Sequence, residues 1–209
     1  RGVPAPTRAQ WRDLWIMGLL LLGLGNGMVC IAQQMVSSGL AAVAVASCPL
    51  WIGLFAALRG ERPARLEVVG LAIGFAGVAW LNAGSSLTAS PVGLIALLVA
   101  PLAWALGSVW SRGRALPSPF MAAAAQMLCG GVLLAAAGWL LGERIGAMPT
   151  LRGWLAVSYL AVFGSIVAFS AYAWLLQNVR ATLLGSYAYV NPVIAVLLGT
   201  LFAGERFSA

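Results

Sequence analysis

The 209-residue sequence has no histidine and no lysine, and only 8% of its residues are charged. Without lysine there is no retinal Schiff base, and a seven-helix retinal protein is excluded. Without histidine the commonest general base and metal ligand is missing. Neither a GxSxG nor an HExxH pattern is present, so catalysis has no candidate constellation and no enzyme is expected. Cys30, Cys48 and Cys129 lie in apolar runs with no CxxC spacing. That argues against a disulfide framework or a zinc site and for small core residues. No metal or cofactor is expected. A soluble domain carries about a quarter of its residues charged. This chain does not belong in water.

What is present is apolar: 62% of the residues are hydrophobic. Uncharged runs cover residues 14–34, 39–58, 68–83, 92–110, 119–141, 155–176 and 181–203. With about 20 apolar residues needed to cross a bilayer as a helix, they predict seven transmembrane spans. The runs are continuous and rich in Leu, Ala and Gly, unlike the alternating segments of a membrane barrel, so the fold class is all-α, polytopic. Trp11, Trp15, Trp80, Trp110, Trp139 and Trp154 stand at or near run ends, where indole rings favour the headgroup region, while Trp51, Trp104 and Trp174 sit deeper. All 12 basic residues are arginines, and they occupy loops. Arg1, Arg8, Arg12, Arg59, Arg62, Arg65, Arg112, Arg114 and Arg180 fall on one side; Arg144, Arg152 and Arg206 fall on the other. The arginine-rich side is expected in the cytoplasm. The charge therefore reads as topology, and nucleic acid is not an expected partner.

An internal repeat runs at an offset of 143 residues. Pro6, Thr7 and Trp11 match Pro149, Thr150 and Trp154; Gln34 and Val36 match Gln177 and Val179; Pro49 matches Pro192. With one inserted residue, the Gly60–Arg62 "GER" also meets Gly204–Arg206. The offset steps past five spans, an odd number, so the copies are inverted, as in many secondary transporters with a substrate site at the repeat interface. Residues 1–83 form part of a first repeat and 92–209 part of a second. Three helices lack a partner, so a ten-helix parent of two five-helix units is expected.

The last run, "SYAYVNPVIAVLLGT", carries Asn191 beside Pro192. Proline frees the carbonyl four residues earlier, and in hydrocarbon that group, the Asn191 amide and the Tyr187 and Tyr189 hydroxyls all need partners. Such a segment is expected to face a cavity, with Pro49 as the matching helix break in the second span. Asn26 lies between Gly25 and Gly27, which permit close approach. Trp104 and Ser108 share a helix face at i, i+4, and Gln126 and Tyr172 interrupt the fifth and sixth runs. Gly60, Gly142 and Gly204 end helices, and the adjoining Glu and Arg are assigned to structure. Asp13, Glu61, Glu67, Glu143 and Glu205 all fall in loops or at helix ends, so no span interior is expected to hold a carboxylate.

"GLGNGMV", "SSGLAAVAVA", "PLAWALGSVW", "FGSIVAFSAY" and "SYAYVNPVIAVLLGT" resemble the EamA family of the drug/metabolite transporter superfamily, most of all its YedA-type permeases. The resemblance implies ten helices, cytoplasmic termini and a central cavity through which small metabolites or amino acids leave the cell. The expected partners are a small-molecule solute and membrane lipid; a homodimer is left open. The expected location is the bacterial inner membrane. The expected activity is secondary transport of a neutral or zwitterionic solute. Cationic drug/proton exchange and a non-transporting assembly subunit are the alternatives.

Overall fold

A computed structural model describes residues 4–83, 89–144, 146, 148–191 and 194. Pro192 and the second "GER" lie outside the described residues. The described chain is helical: α1 Arg8–Gln33, α2 Ser38–Leu58, α3 Arg65–Leu81, α4 Pro91–Ser111, α5 Pro119–Leu140, α6 Leu151–Asn178, and α7 from Ala181. Five of these, α1, α2, α4, α5 and α6, are long and apolar enough to cross a membrane. α3, at 17 residues, is a little shorter. The described part of α7 continues through Asn191 after a turn at Ser186, so the rest of the seventh predicted span lies outside the described residues. The protein is an all-α polytopic membrane protein.

Local chemistry sets the helix ends. Thr7 caps α1 in a reciprocal box with Gln10, Thr150 caps α6 through the Gly153 amide, and Ser90 caps α4 ahead of Pro91. Gly60 and Gly142 follow α2 and α5 at φ 90° and 82°, a conformation that glycine adopts without steric cost. α2 is interrupted: its first half ends at Ala46, Ser47 turns, and the second half begins at Cys48 with Pro49 in its first turn. The Ser47 hydroxyl donates to the Ala44 carbonyl at 2.6 Å.

α1 and α6 share two local features. α1 and α6 both begin after a threonine cap, at Arg8 and Leu151. Each then widens into a nine-residue π-helical segment, Gly18–Asn26 in one and Leu160–Ala168 in the other. π segments are rare and often lie at functional sites. Nothing in the apolar composition of either run announced them.

Glycines set the spacing in the middle of the bundle. A Cβ on Gly18 would stand 2.9 Å from the Gln126 carbonyl oxygen and 2.9 Å from the Gly130 nitrogen, so the backbones of α1 and α5 nearly touch. Gly107 of α4 receives Leu20 and Leu21 of α1, and Gly185 of α7 rests on Pro49 of α2. By contrast Leu155, Leu160, Phe163, Ile166 and Val167 on α6 are exposed, a face suited to hydrocarbon.

Two expectations are corrected. Asp13 is not at a loop end: α1 starts at Arg8, and Asp13 is buried one turn and more inside it, facing Arg12 at 3.4 Å and Arg114 at 3.6 Å. The helix begins earlier than the apolar run because the Thr7–Gln10 box nucleates it among polar residues. Cys48 and Cys129 are buried as expected, but Cys30 is exposed, on the outer side of α1.

Candidate functional site

Trp104 of α4 is the centre of the site. Its Nε1–H donates to the Tyr172 hydroxyl on α6 at 2.9 Å. The Ser108 hydroxyl, one turn along α4, donates back to the Trp104 carbonyl at 2.7 Å. Ser108 Oγ and Tyr172 Oη lie 2.6 Å apart. Serine has one proton and it is committed to the carbonyl, so the tyrosine must be the donor. The result is a closed ring: Trp104 N–H to Tyr172, Tyr172 O–H to Ser108, Ser108 O–H to the Trp104 carbonyl. Every donor is used without a charge, which suits a medium where water supplies no partner.

Aromatic faces surround the ring. Phe169 meets Trp104 edge-on at 6.2 Å, and Tyr187 of α7 meets Tyr172 edge-on at 5.6 Å. On the other side Gly25 of α1 lies against the indole, where a Cβ would come within 2.9 Å of Cε3. One cluster therefore joins α1, α4, α6 and α7. Ser108 and Tyr172 are buried, whereas Tyr187 is 37% exposed.

The other predicted residues go elsewhere. Asn26 is exposed, on α1 between Gly25, which faces Trp104, and Gly27, which faces Leu134. Asn191 is exposed, four residues after Tyr187 and so on the same side of α7. Tyr189 turns away from the ring, its aromatic face against Gly74 of α3 and its hydroxyl buried without a hydrogen-bond partner among the described residues. Gln126 is 1% exposed beneath the α1–α5 contact, and its Oε1 has no hydrogen-bond partner among the described residues. Pro49 packs under Gly185, so the break in α2 touches α7 directly.

Sequence reasoning assigned the arginines to topology and the Glu and Arg beside Gly60 to structure, but named none of the partners they hold. Arg59 Nη1 donates to the carbonyls of Val109 (2.7 Å) and Trp110 (3.3 Å) at the end of α4. Arg112 Nη1 donates to Leu176 (2.8 Å) and Val179 (2.7 Å) at the end of α6. Both bind carbonyls at a helix C-terminus and oppose the negative end of its dipole. Arg112 also pairs with Glu61 at 3.3 Å, and the same carboxylate accepts the Ala181 amide at 3.0 Å. Glu67 joins the Ala64 amide, the Thr182 hydroxyl and Arg180. Its carboxyl is held below the ordinary range, first by that amide, then by the hydroxyl, with Arg180 adding to them. The start of α1, the α2–α3 turn, the α4–α5 turn and the start of α7 thus share one end of the bundle. At the other end, Val36 bridges Ala89. The alternation of loop sides read from the arginines holds in these contacts.

Comparison with known proteins supplies the context. The sequence matches the EamA-like transporter family over residues 1–83 and 91–209. The chain belongs to that family. It is 48% identical over 209 residues to "Uncharacterized inner membrane transporter YedA" of Escherichia coli K12, covering 100% of this chain and 68% of that protein. It is 27% identical over 212 residues to "Uncharacterized transporter YvbV" of Bacillus subtilis, covering 98% of this chain and 69% of that one. "Protein PecM" of Dickeya dadantii is 26% identical over 207 residues, 97% of this chain and 69% of its own. A solved crystal structure superposes with a TM-score of 0.79 at 26% identity, over 93% of this chain and 69% of the other.

Proposed function

We propose that this membrane transporter is a secondary exporter of small neutral or zwitterionic metabolites, amino acids among them, working by alternating access across the inner membrane. The observation that carries the reading is the uncharged Trp104–Tyr172–Ser108 ring, flanked by Tyr187 and Gly25. It lies where α1 meets α4, α6 and α7, which on the two-repeat reading is the interface between 1–83 and 92–209. In inverted-repeat transporters that interface holds the substrate. Aromatic faces and hydroxyls recognise solutes by shape and hydrogen bonds and give a permanent cation no counter-charge. Asp13 is the one buried carboxylate among the described residues, and two arginines face it at the bundle's end. This favours a metabolite over a cationic drug. The names of the Escherichia coli and Bacillus subtilis relatives support transport over an assembly role. Family membership likewise points to a transporter and away from an enzyme.

The intact gene product in proteoliposomes tests this. Flux of neutral amino acids is expected, and it should fall when Trp104 is replaced by Leu. Proton-driven uptake of a quaternary ammonium dye with no amino-acid flux would refute it.

A further inference from the structure

An open cavity of about 600 Å³ lies at the arginine-rich end, lined in part by Arg59, Glu61, Val109, Arg112, Arg114 and Leu176. That volume suits a small solute. Its charges are not equivalent. Arg112 is committed to Glu61 and to two carbonyls. Arg114 faces Asp13 at 3.6 Å and stacks on the Trp110 ring at 3.9 Å. Arg59 spends a single nitrogen, Nη1, on two carbonyls and has no carboxylate partner among the described residues. Its Nε and Nη2 donors form the edge that fits a carboxylate with two parallel hydrogen bonds.

The cavity also lies close to the ring along α4 and α6. Val109 follows Ser108 directly, and Leu176 stands one turn after Tyr172, so the lining adjoins the hydrogen-bonded ring about 5.4 Å further along the helices. We propose that this cavity is a capture site for the carboxylate of a small carboxylate-bearing solute, held by the free edge of Arg59 before it reaches the aromatic cluster. The direction of that path rests on the export reading; the binding itself does not.

Binding by calorimetry to the purified protein in detergent tests it, with three probes of one shape: L-leucine, 4-methylvalerate and L-leucinamide. L-leucine and 4-methylvalerate should bind, and leucinamide, which lacks the carboxylate, should bind at least tenfold more weakly. Arg59→Gln should weaken both carboxylate probes at least tenfold and leave leucinamide unchanged. Because Arg59 also caps α4, Ala115→Trp provides a second variant. Ala115 is an exposed loop residue on the cavity wall, and filling the space there leaves the bonds of Arg59 in place. It should weaken the carboxylate probes too. Equal binding of leucine and leucinamide, no binding of any probe, or unchanged leucine binding in either folded variant would overturn the proposal. Proteoliposome flux separates it from the export reading. Leucine flux with an unchanged KM in Arg59→Gln defeats the capture site alone. Leucine binding that depends on Arg59, without flux of any amino acid, defeats export alone.

Discussion

Replacing Tyr172 by Phe removes one oxygen and two hydrogen bonds, those to Trp104 at 2.9 Å and Ser108 at 2.6 Å. The phenyl ring keeps the aromatic contacts with Phe169 and Tyr187, so packing is nearly unchanged. Ser108 still donates to the Trp104 carbonyl and loses only an incoming donor. Trp104 fares worse: its N–H is left in an apolar setting with no acceptor. Interhelical hydrogen bonds in membranes average about 0.6 kcal/mol and reach about 1.7. Two such bonds therefore predict a loss of about 1–3 kcal/mol.

Equilibrium unfolding in mixed micelles measures that loss, and a double-mutant cycle assigns it. Trp104→Phe removes the stranded donor, so Tyr172→Phe should cost less in that background, with a coupling of about 0.5 kcal/mol or more. The cycle matters because a general packing defect would be additive. A Tyr172→Phe protein as stable as the wild type, or a cycle with no coupling, would refute the ring.

Three further outcomes are expected. Gly18→Val should destabilise the bundle by about 1–3 kcal/mol in the same assay, because its Cβ meets the backbone of α5 at 2.9 Å, which cannot move aside as a flexible side chain can. Glu67 has a lowered pKa, so its contribution to stability is complete above the ordinary value of 4.5 and is lost as pH falls through the lower folded-state value; Glu67→Gln should flatten that part of a stability-against-pH curve. Impermeant thiol labelling, in a background without the native cysteines, should modify Ala89→Cys from outside intact cells and Arg62→Cys only after the membrane is opened.

The fold was largely legible because crossing a bilayer constrains sequence so tightly: the runs at 92–110 and 119–141 differ from α4 and α5 by a residue or so at each end. Asp13 was misplaced by the same rule. Hydropathy begins the span at residue 14, whereas the Thr7-x-x-Gln10 capping pattern, also readable, starts the helix at Arg8. Spacing alone put Trp104 and Ser108 on one face. No local pattern could bring Tyr172 to them, because that contact spans 64 residues and depends on how α6 packs on α4. Gln126 shows the limit from the other side. A polar residue in an apolar run must be shielded from lipid, but a cavity is one shield and a glycine contact such as Gly18 is another, and sequence does not distinguish them.

The distribution of polar and apolar contacts bears on how the proposed cycle would proceed. α4 and α6 are joined at membrane depth by the hydrogen-bonded ring. Between α1–α3 and α4–α7 the deep contacts include ones of another kind: Gly25 on Trp104, Gly107 under Leu20 and Leu21, Gly185 on Pro49, Gly74 under Tyr189. Surfaces of small residues can shift by a fraction of an ångström without leaving a donor or acceptor unpaired. The ring cannot open without doing so. Among the described residues, side-chain polar ties between these two groups of helices collect instead at the arginine-rich end, where Glu61 holds Arg112 and the Ala181 amide, and Glu67 holds Arg180 and Thr182. These ion pairs are partly exposed, so water can take over their partners when they separate. The least costly rearrangement therefore keeps the Trp104 ring intact, slides the glycine contacts and breaks the charged ties at that end.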